Sequence, residues 1–212
     1  MTAHIFLDFD GTLIDSLDSL YKAYLGILNQ FGIEGSRVEF DLLNGPSIWE
    51  VTLYFKKKYG IEREAEEIYK MYNEIIKRKY LDSKPFSDSV LFLEKLKNLG
   101  VKSSLVTSGS EDLVGDLLKR LDWSKYFQFI VYGTEVKESK PSPLIYLKAL
   151  ELSKARKEKV IVVEDSKNGI KAAIGAGLKV YGLESYHTSN ELKEAGAHKT
   201  IEKISSLIPE LN

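Results

Sequence analysis

His4-Ile5-Phe6-Leu7-Asp8-Phe9-Asp10-Gly11-Thr12-Leu13-Ile14-Asp15-Ser16 is the stretch on which the fold turns. Its first four residues are mostly apolar and read as a short buried strand, and Gly11 marks the turn that ends it. Asp8 and Asp10 stand two residues apart at the carboxyl end. In extended backbone such side chains leave the chain on the same side. Two like charges held that close repel unless a cation or a shared proton compensates. Hard divalent cations prefer oxygen ligands, so the pair suits a hard-metal site. The alternative is a polar turn with two solvated aspartates, and the rest of the chain decides between them.

After Ser16 the apolar period changes from strand to helix. Leu17, Leu20, Tyr21, Tyr24, Leu25, Leu28 and Phe31 recur at i, i+3, i+4 and i+7. Asp15 or Ser16 reads as the N-cap and Gly32 as the stop. The same pattern predicts helices over 47–59 and 62–80, so that 15–83 contains helices and no convincing strand. The run Lys56-Lys57-Lys58 is expected on the solvated side of the second helix. Beyond Lys84-Pro85 the pattern alternates. Strands are predicted at 101–107, 129–132, 160–163, 178–181 and 198–201, and helices at 88–99, 110–121, 143–152, 167–176 and 202–211. Alternation of this kind implies a parallel sheet with helices on both faces. The expected fold is therefore α/β: a Rossmann-like three-layer core, with an α-helical cap inserted after the first strand. The core would comprise 1–14 and 84–212, and the cap 15–83.

Composition narrows the function classes. The 212 residues are 43% hydrophobic and 29% charged, ordinary for a chain with a real core. Thirty Lys and Arg against 31 Asp and Glu leave a net charge of −1, which offers no nucleic acid or membrane surface a basic patch. The absence of cysteine excludes a disulfide framework, a thiol nucleophile and thiolate metal sites. No signal peptide is visible, and no run reaches the roughly 18 apolar residues of a membrane span, so the expectation is a soluble, cytoplasmic protein. No motif assigns an oligomeric state.

Open α/β sheets bind ligands beyond the carboxyl ends of their strands. There the first strand offers Asp8 and Asp10, and the second offers Thr107-Ser108-Gly109-Ser110 at a helix start that favours an anion. The fourth ends in Glu164-Asp165-Ser166, and Lys140-Pro141-Ser142-Pro143 brings a cation on a stiffened backbone. Singly, these could be a helix cap, a strand-end turn and a surface lysine. Jointly, they supply ligands for a metal, a cradle for an anion and a lysine along one sheet edge.

The motifs Asp8-Phe9-Asp10-Gly11-Thr12-Leu13, Ser104-Leu105-Val106-Thr107, Lys140-Pro141-Ser142-Pro143 and Val162-Val163-Glu164-Asp165-Ser166 occur in that order. In this the chain resembles the haloacid dehalogenase superfamily of phosphohydrolases, in the phosphoglycolate phosphatase and β-phosphoglucomutase-like subgroup with a helical cap. The resemblance implies Asp8 as nucleophile and Asp10 as acid and base. It implies Mg²⁺ held by Asp8, the Asp10 backbone carbonyl and Asp165, with Glu164 as a ligand or behind the ligands. Thr107, Ser108 and Lys140 would bind the phosphoryl group of a small phosphorylated metabolite. Dehalogenase members lack the second aspartate, which is present here. Phosphonate-cleaving members use a cap lysine, and no cap lysine stands out in an apolar context. Sugar phosphomutases carry a cap His and a Gly-x-Ser-Arg segment, where this chain has Leu20 and Gly45-Pro46-Ser47-Ile48. The expectation is a phosphatase, with a mutase, and then a non-catalytic binding protein, as the other readings.

Overall fold

The computed structural model of the chain describes residues 4–43 and 46–211. The opening stretch forms β1 (His4–Leu7), with all four side chains buried. Gly11 then adopts φ +80°, a conformation that costs glycine least, and its N–H donates to the Ile14 carbonyl at 2.8 Å. After β2 (Ile14–Asp15) come α1 (Leu17–Asn29), α2 (Arg37–Leu42), α3 (Ile48–Tyr59) and α4 (Ala65–Tyr80). β3 (Lys84–Pro85) pairs antiparallel with β2, so the chain leaves this helical insertion beside the point where it entered. There follow α5 (Ser89–Asn98), β4 (Lys102–Val106), α6 (Glu111–Leu121), β5 (Ile130–Val131), α7 (Leu144–Ser153) and β6 (Val160–Glu164). The chain closes with α8 (Lys167–Gly175), β7 (Lys179–Leu183), α9 (Ser189–Glu194), β8 (Lys199–Ile201) and a 3-10 segment, Ile204–Leu211. No described helix is long and apolar enough to cross a membrane.

The main sheet runs β5-β4-β1-β6-β7-β8 and is parallel throughout, as alternating strands and helices require. From β1 the chain fills one side with β4 and β5, then returns to fill the other with β6, β7 and β8. The strand order thus reverses beside β1, where open sheets form their binding crevice. Alternation along β1 sends Ile5 and Leu7 into the apolar cluster shared with α1, α5 and α6. Phe6 goes to the opposite face, with residues of α7 and α8. His4 is buried too. Its Nε2 lies 2.8 Å from Ser104 Oγ, and burial, with Lys102 nearby, pushes the imidazole down to about 4 and keeps it neutral.

Two helices and a ribbon depart from the expectations. α2 and α9 have six residues each, too few to display a repeating apolar face. Both start on hydroxyl caps, Ser36 and Thr188, which accept from the N–H of Glu39 and Glu191. The β2–β3 pair, two residues per strand, is equally short. The expected final helix is a 3-10 segment with Pro209 inside it, a residue with no N–H for an α-helical bond. Gly45 of the Gly45–Ile48 segment lies outside the described residues.

Within the insertion α1 lies along α4, and Gly26 permits the approach: a Cβ there would stand 3.2 Å from Ile75 Cγ2. α2 is held by Glu39, buried and accepting from Tyr24 Oη (2.6 Å), Tyr59 Oη (2.5 Å) and Lys58 Nζ (2.8 Å). Lys58, expected in a solvated run, therefore reaches a buried acid. Burial works to raise the Glu39 pKa, but Lys58, Tyr24, Tyr59 and Tyr54 outweigh it and hold the carboxyl at about 2. A folded value below the ordinary 4.5 means that ionised Glu39 stabilises the fold above that pH. The contribution disappears as pH falls toward 2. Glu39→Gln is expected to lower the unfolding free energy by roughly 2 kcal/mol at pH 7, read from urea melts. The gap to the parent should close between pH 4.5 and 2; a gap of constant size down to pH 2 would refute this role.

Candidate active site

At the carboxyl end of β1, Asp8 follows Leu7 between the ends of β4 and β6 and is held by its N–H to the Val163 carbonyl at 3.1 Å. Lys140 reaches it from the loop before α7. Its Nζ lies 2.6 Å from Asp8 Oδ1, 2.5 Å from Glu164 Oε1 and 3.2 Å from the Val106 carbonyl. Both flanking acids and the lysine are buried. Burial alone would lower the lysine pKa, but Asp8 and Glu164 overcome that and keep the ammonium charged.

Glu164 is fully engaged. Oε1 accepts from Lys140 and from Tyr146 Oη (2.7 Å), and Oε2 accepts from Ser166 Oγ (3.1 Å) and Ser166 N (3.4 Å). Gly169 makes room for it, since a Cβ at that position would lie 2.0 Å from the Glu164 carboxyl. Ser166 also caps α8 by accepting from Gly169 N. Asp165 is different. Oδ1 accepts from Thr12 Oγ1 at 3.0 Å, whereas Oδ2 is buried with no hydrogen-bond partner. It lies over Gly11, whose Cβ, if present, would be 2.1 Å away.

Asp8, Glu164 and Asp165 each offer an oxygen within 4.8 Å of the others. Burial, reinforced by mutual repulsion, pushes Asp8 and Asp165 above the ordinary carboxylate range, although Lys140 opposes the shift. Burial also raises Asp10, against the Ser16 hydrogen bond. Four carboxylates therefore face one ammonium, an excess of negative charge that suits a divalent cation.

Asp10 stands one turn onward, Oδ1 accepting from Ser16 Oγ at 2.5 Å. Ser16 occupies the N-cap position of α1 but makes no side-chain cap bond. Tyr80 closes the other side, its buried hydroxyl facing Asp10. Thr107 follows β4, and its Oγ1 accepts from Gly109 N at 3.0 Å, which bends the loop toward the start of α6. Gly133 packs beneath this loop, where a Cβ would strike the Ser108 carbonyl at 2.2 Å. Ser110 Oγ is buried without a partner.

A cavity of about 120 Å³ opens here between the sheet edge and the helical insertion. Asp8, Asp10, Thr107, Ser108, Lys140 and Asp165 all border it. Glu164 is brought to Asp8 from behind and does not line it. Thr12, Ser16, Tyr80, Tyr146 and Gly169 also take part, and none of them stands among the site residues expected from the sequence. Thr12 and Ser16 lie within the opening stretch, the one signal that pointed toward them.

The profile of the haloacid dehalogenase-like hydrolases matches residues 5–183. The chain belongs to that family. A phosphorylated carbohydrates phosphatase of Thermotoga maritima is 34% identical over 93% of this chain and 92% of its own length. A phosphoglycolate phosphatase of Aquifex aeolicus is 32% identical over 82% and 81%. Among solved structures, a hydrolase from Pseudomonas syringae superposes with a TM-score of 0.87 at 25% identity, covering 100% of this chain and 98% of that one.

Removal of one partner of a buried ion pair leaves the other uncompensated, so Lys140→Met should cost about 3 kcal/mol in urea unfolding at neutral pH in EDTA. Adding Glu164→Gln to that variant should recover part of the loss. A Lys140→Met protein as stable as its parent would show that the ammonium does not hold these acids together.

Proposed function

We infer that this phosphoric monoester hydrolase works through a covalent phosphoryl-enzyme, with Asp8 as nucleophile and Asp10 as acid and base. The observation that carries the reading is the placement of Asp8: buried, at the floor of a cavity, with an ammonium 2.6 Å from one carboxylate oxygen. Asp8 attacks phosphorus, and the bond from phosphorus to the ester oxygen breaks. Asp10, oriented by Ser16, gives its proton to the departing alkoxide, then takes one from the water that hydrolyses the aspartyl-phosphate. Lys140 offsets the charge of Asp8 as an anionic phosphoryl group approaches, and Thr107 and Ser108 bind its oxygens. Glu164 acts through Lys140, since its own oxygens are already committed.

Mg²⁺ fits the donor set, which is oxygen only, and the unpartnered Asp165 Oδ2 leaves one buried lone-pair site for it. Asp8, Asp165 and the backbone carbonyl of Asp10 would hold the ion. When bound, it supplies charge stabilisation for the phosphoryl oxygens. The insertion is proposed as a cap, 15–83 over a core of 1–14 and 84–212. Ser47 N donating to Ser139 Oγ at 3.1 Å supports a cap seated next to Lys140. Leu20 lines the cavity where sugar mutases are expected to place a histidine, which favours hydrolysis over isomerisation.

The protein should hydrolyse p-nitrophenyl phosphate with Mg²⁺ and lose that activity in EDTA. Asp8→Asn should abolish turnover, and Asp10→Asn should lower kcat by about 10²–10⁴-fold. Gly169→Ala, by displacing Glu164 and with it Lys140, should lower kcat about 100-fold while the fold is kept. Full activity in Asp8→Asn would overturn the nucleophile.

A further inference from the structure

The cavity has two unlike walls. The ionisable groups Asp8, Asp10, Lys140 and Asp165 come from the sheet edge, as do the Thr107 and Ser108 hydroxyls. Facing them, the helical insertion presents Leu20, Phe40, Leu43, Ile48, Val51 and Ile76. Among the described lining residues, this wall contains no Lys, Arg, His, Asp or Glu; its side-chain polar atoms are the hydroxyls of Tyr72 and Tyr80. Two cations of the same helices are paired elsewhere. Lys58 is paired with Glu39 at 2.8 Å, and Arg37 with Asp41 at 2.9 Å.

An ester bound with its phosphoryl group on the charged floor must lay its alcohol portion against this wall. A carboxylate or second phosphate on that portion would lose water and meet no counter-charge, which is strongly unfavourable. Sugar hydroxyls would find two phenols to bond with, whereas a hydrocarbon portion would gain from leaving water. We propose that the insertion wall selects phosphomonoesters of uncharged, mainly hydrocarbon alcohols, and discriminates against esters that carry a carboxylate or a second phosphate. This rests on the phosphatase reading of the same site. It separates this chain from what the names of its two relatives say of them: neither glycolate nor a carbohydrate is the alcohol that this wall fits.

The test compares three esters of primary alcohols under Mg²⁺: cyclohexylmethyl phosphate, glucose 6-phosphate and 2-phosphoglycolate. The first should exceed 2-phosphoglycolate by about 100-fold in kcat/KM and glucose 6-phosphate by about 10-fold. Ile48→Arg, which puts a cation into the wall, should narrow the gap to 2-phosphoglycolate at least 10-fold. If 2-phosphoglycolate or glucose 6-phosphate matches or beats the cyclohexylmethyl ester, the selectivity is overturned while the phosphatase reading stands. An unchanged preference in Ile48→Arg overturns the role of the wall. If none of the three, nor p-nitrophenyl phosphate, is hydrolysed, the phosphatase reading falls and the selectivity with it.

Discussion

One ammonium group, Lys140 Nζ, stands between two buried carboxylates, and the surrounding structure is organised to keep it there. A lysine in apolar surroundings tends to lose its proton. Here Asp8 and Glu164 prevent that, and Glu164 is in turn fixed by Tyr146, Ser166 and the space left at Gly169. The chain of constraint runs from α7 and α8 to the end of β1, three elements that meet only because the sheet order reverses there. The fold thus holds a fixed positive charge beside Asp8.

Much of this was legible in the sequence because each parallel strand delivers the residues after its carboxyl end to the same edge of the sheet. Asp8, Thr107 and Asp165 each stand directly after, or one residue beyond, a run of apolar residues, and a parallel sheet gathers such positions. The residues that escaped depend on contact through space. Tyr146 reads as one more apolar position on a helix, and only the packing of α7 on the sheet turns its hydroxyl toward Glu164. Tyr80, at the end of α4, reads the same way, yet it faces Asp10. Ser16 was legible as a cap, but its hydroxyl turns instead to Asp10. The link between Glu39 and Lys58 joins residues 19 apart on separate helices, a relation no local period encodes.

The two sides of the cavity are built in different ways. The charged floor is made by residues that follow the carboxyl ends of the parallel strands. The apolar wall answers to the alcohol. It is built from α1 to α4, whose packing, apart from the ion pair of buried Glu39 with Lys58, is hydrophobic and tolerant of exchange among residues of similar volume. Floor and wall are thus under separate physical constraints.

The β2–β3 ribbon gives that separation a mechanical basis. The insertion is joined to the sheet through two adjacent strands of two residues each, Ile14–Asp15 against Lys84–Pro85. A segment whose ends lie side by side closes a gap that a short turn could equally bridge, so the core's geometry does not depend on its length. The wall is in this sense an interchangeable part. Its helices can lengthen or change in sequence while the acids and the lysine beneath keep their register.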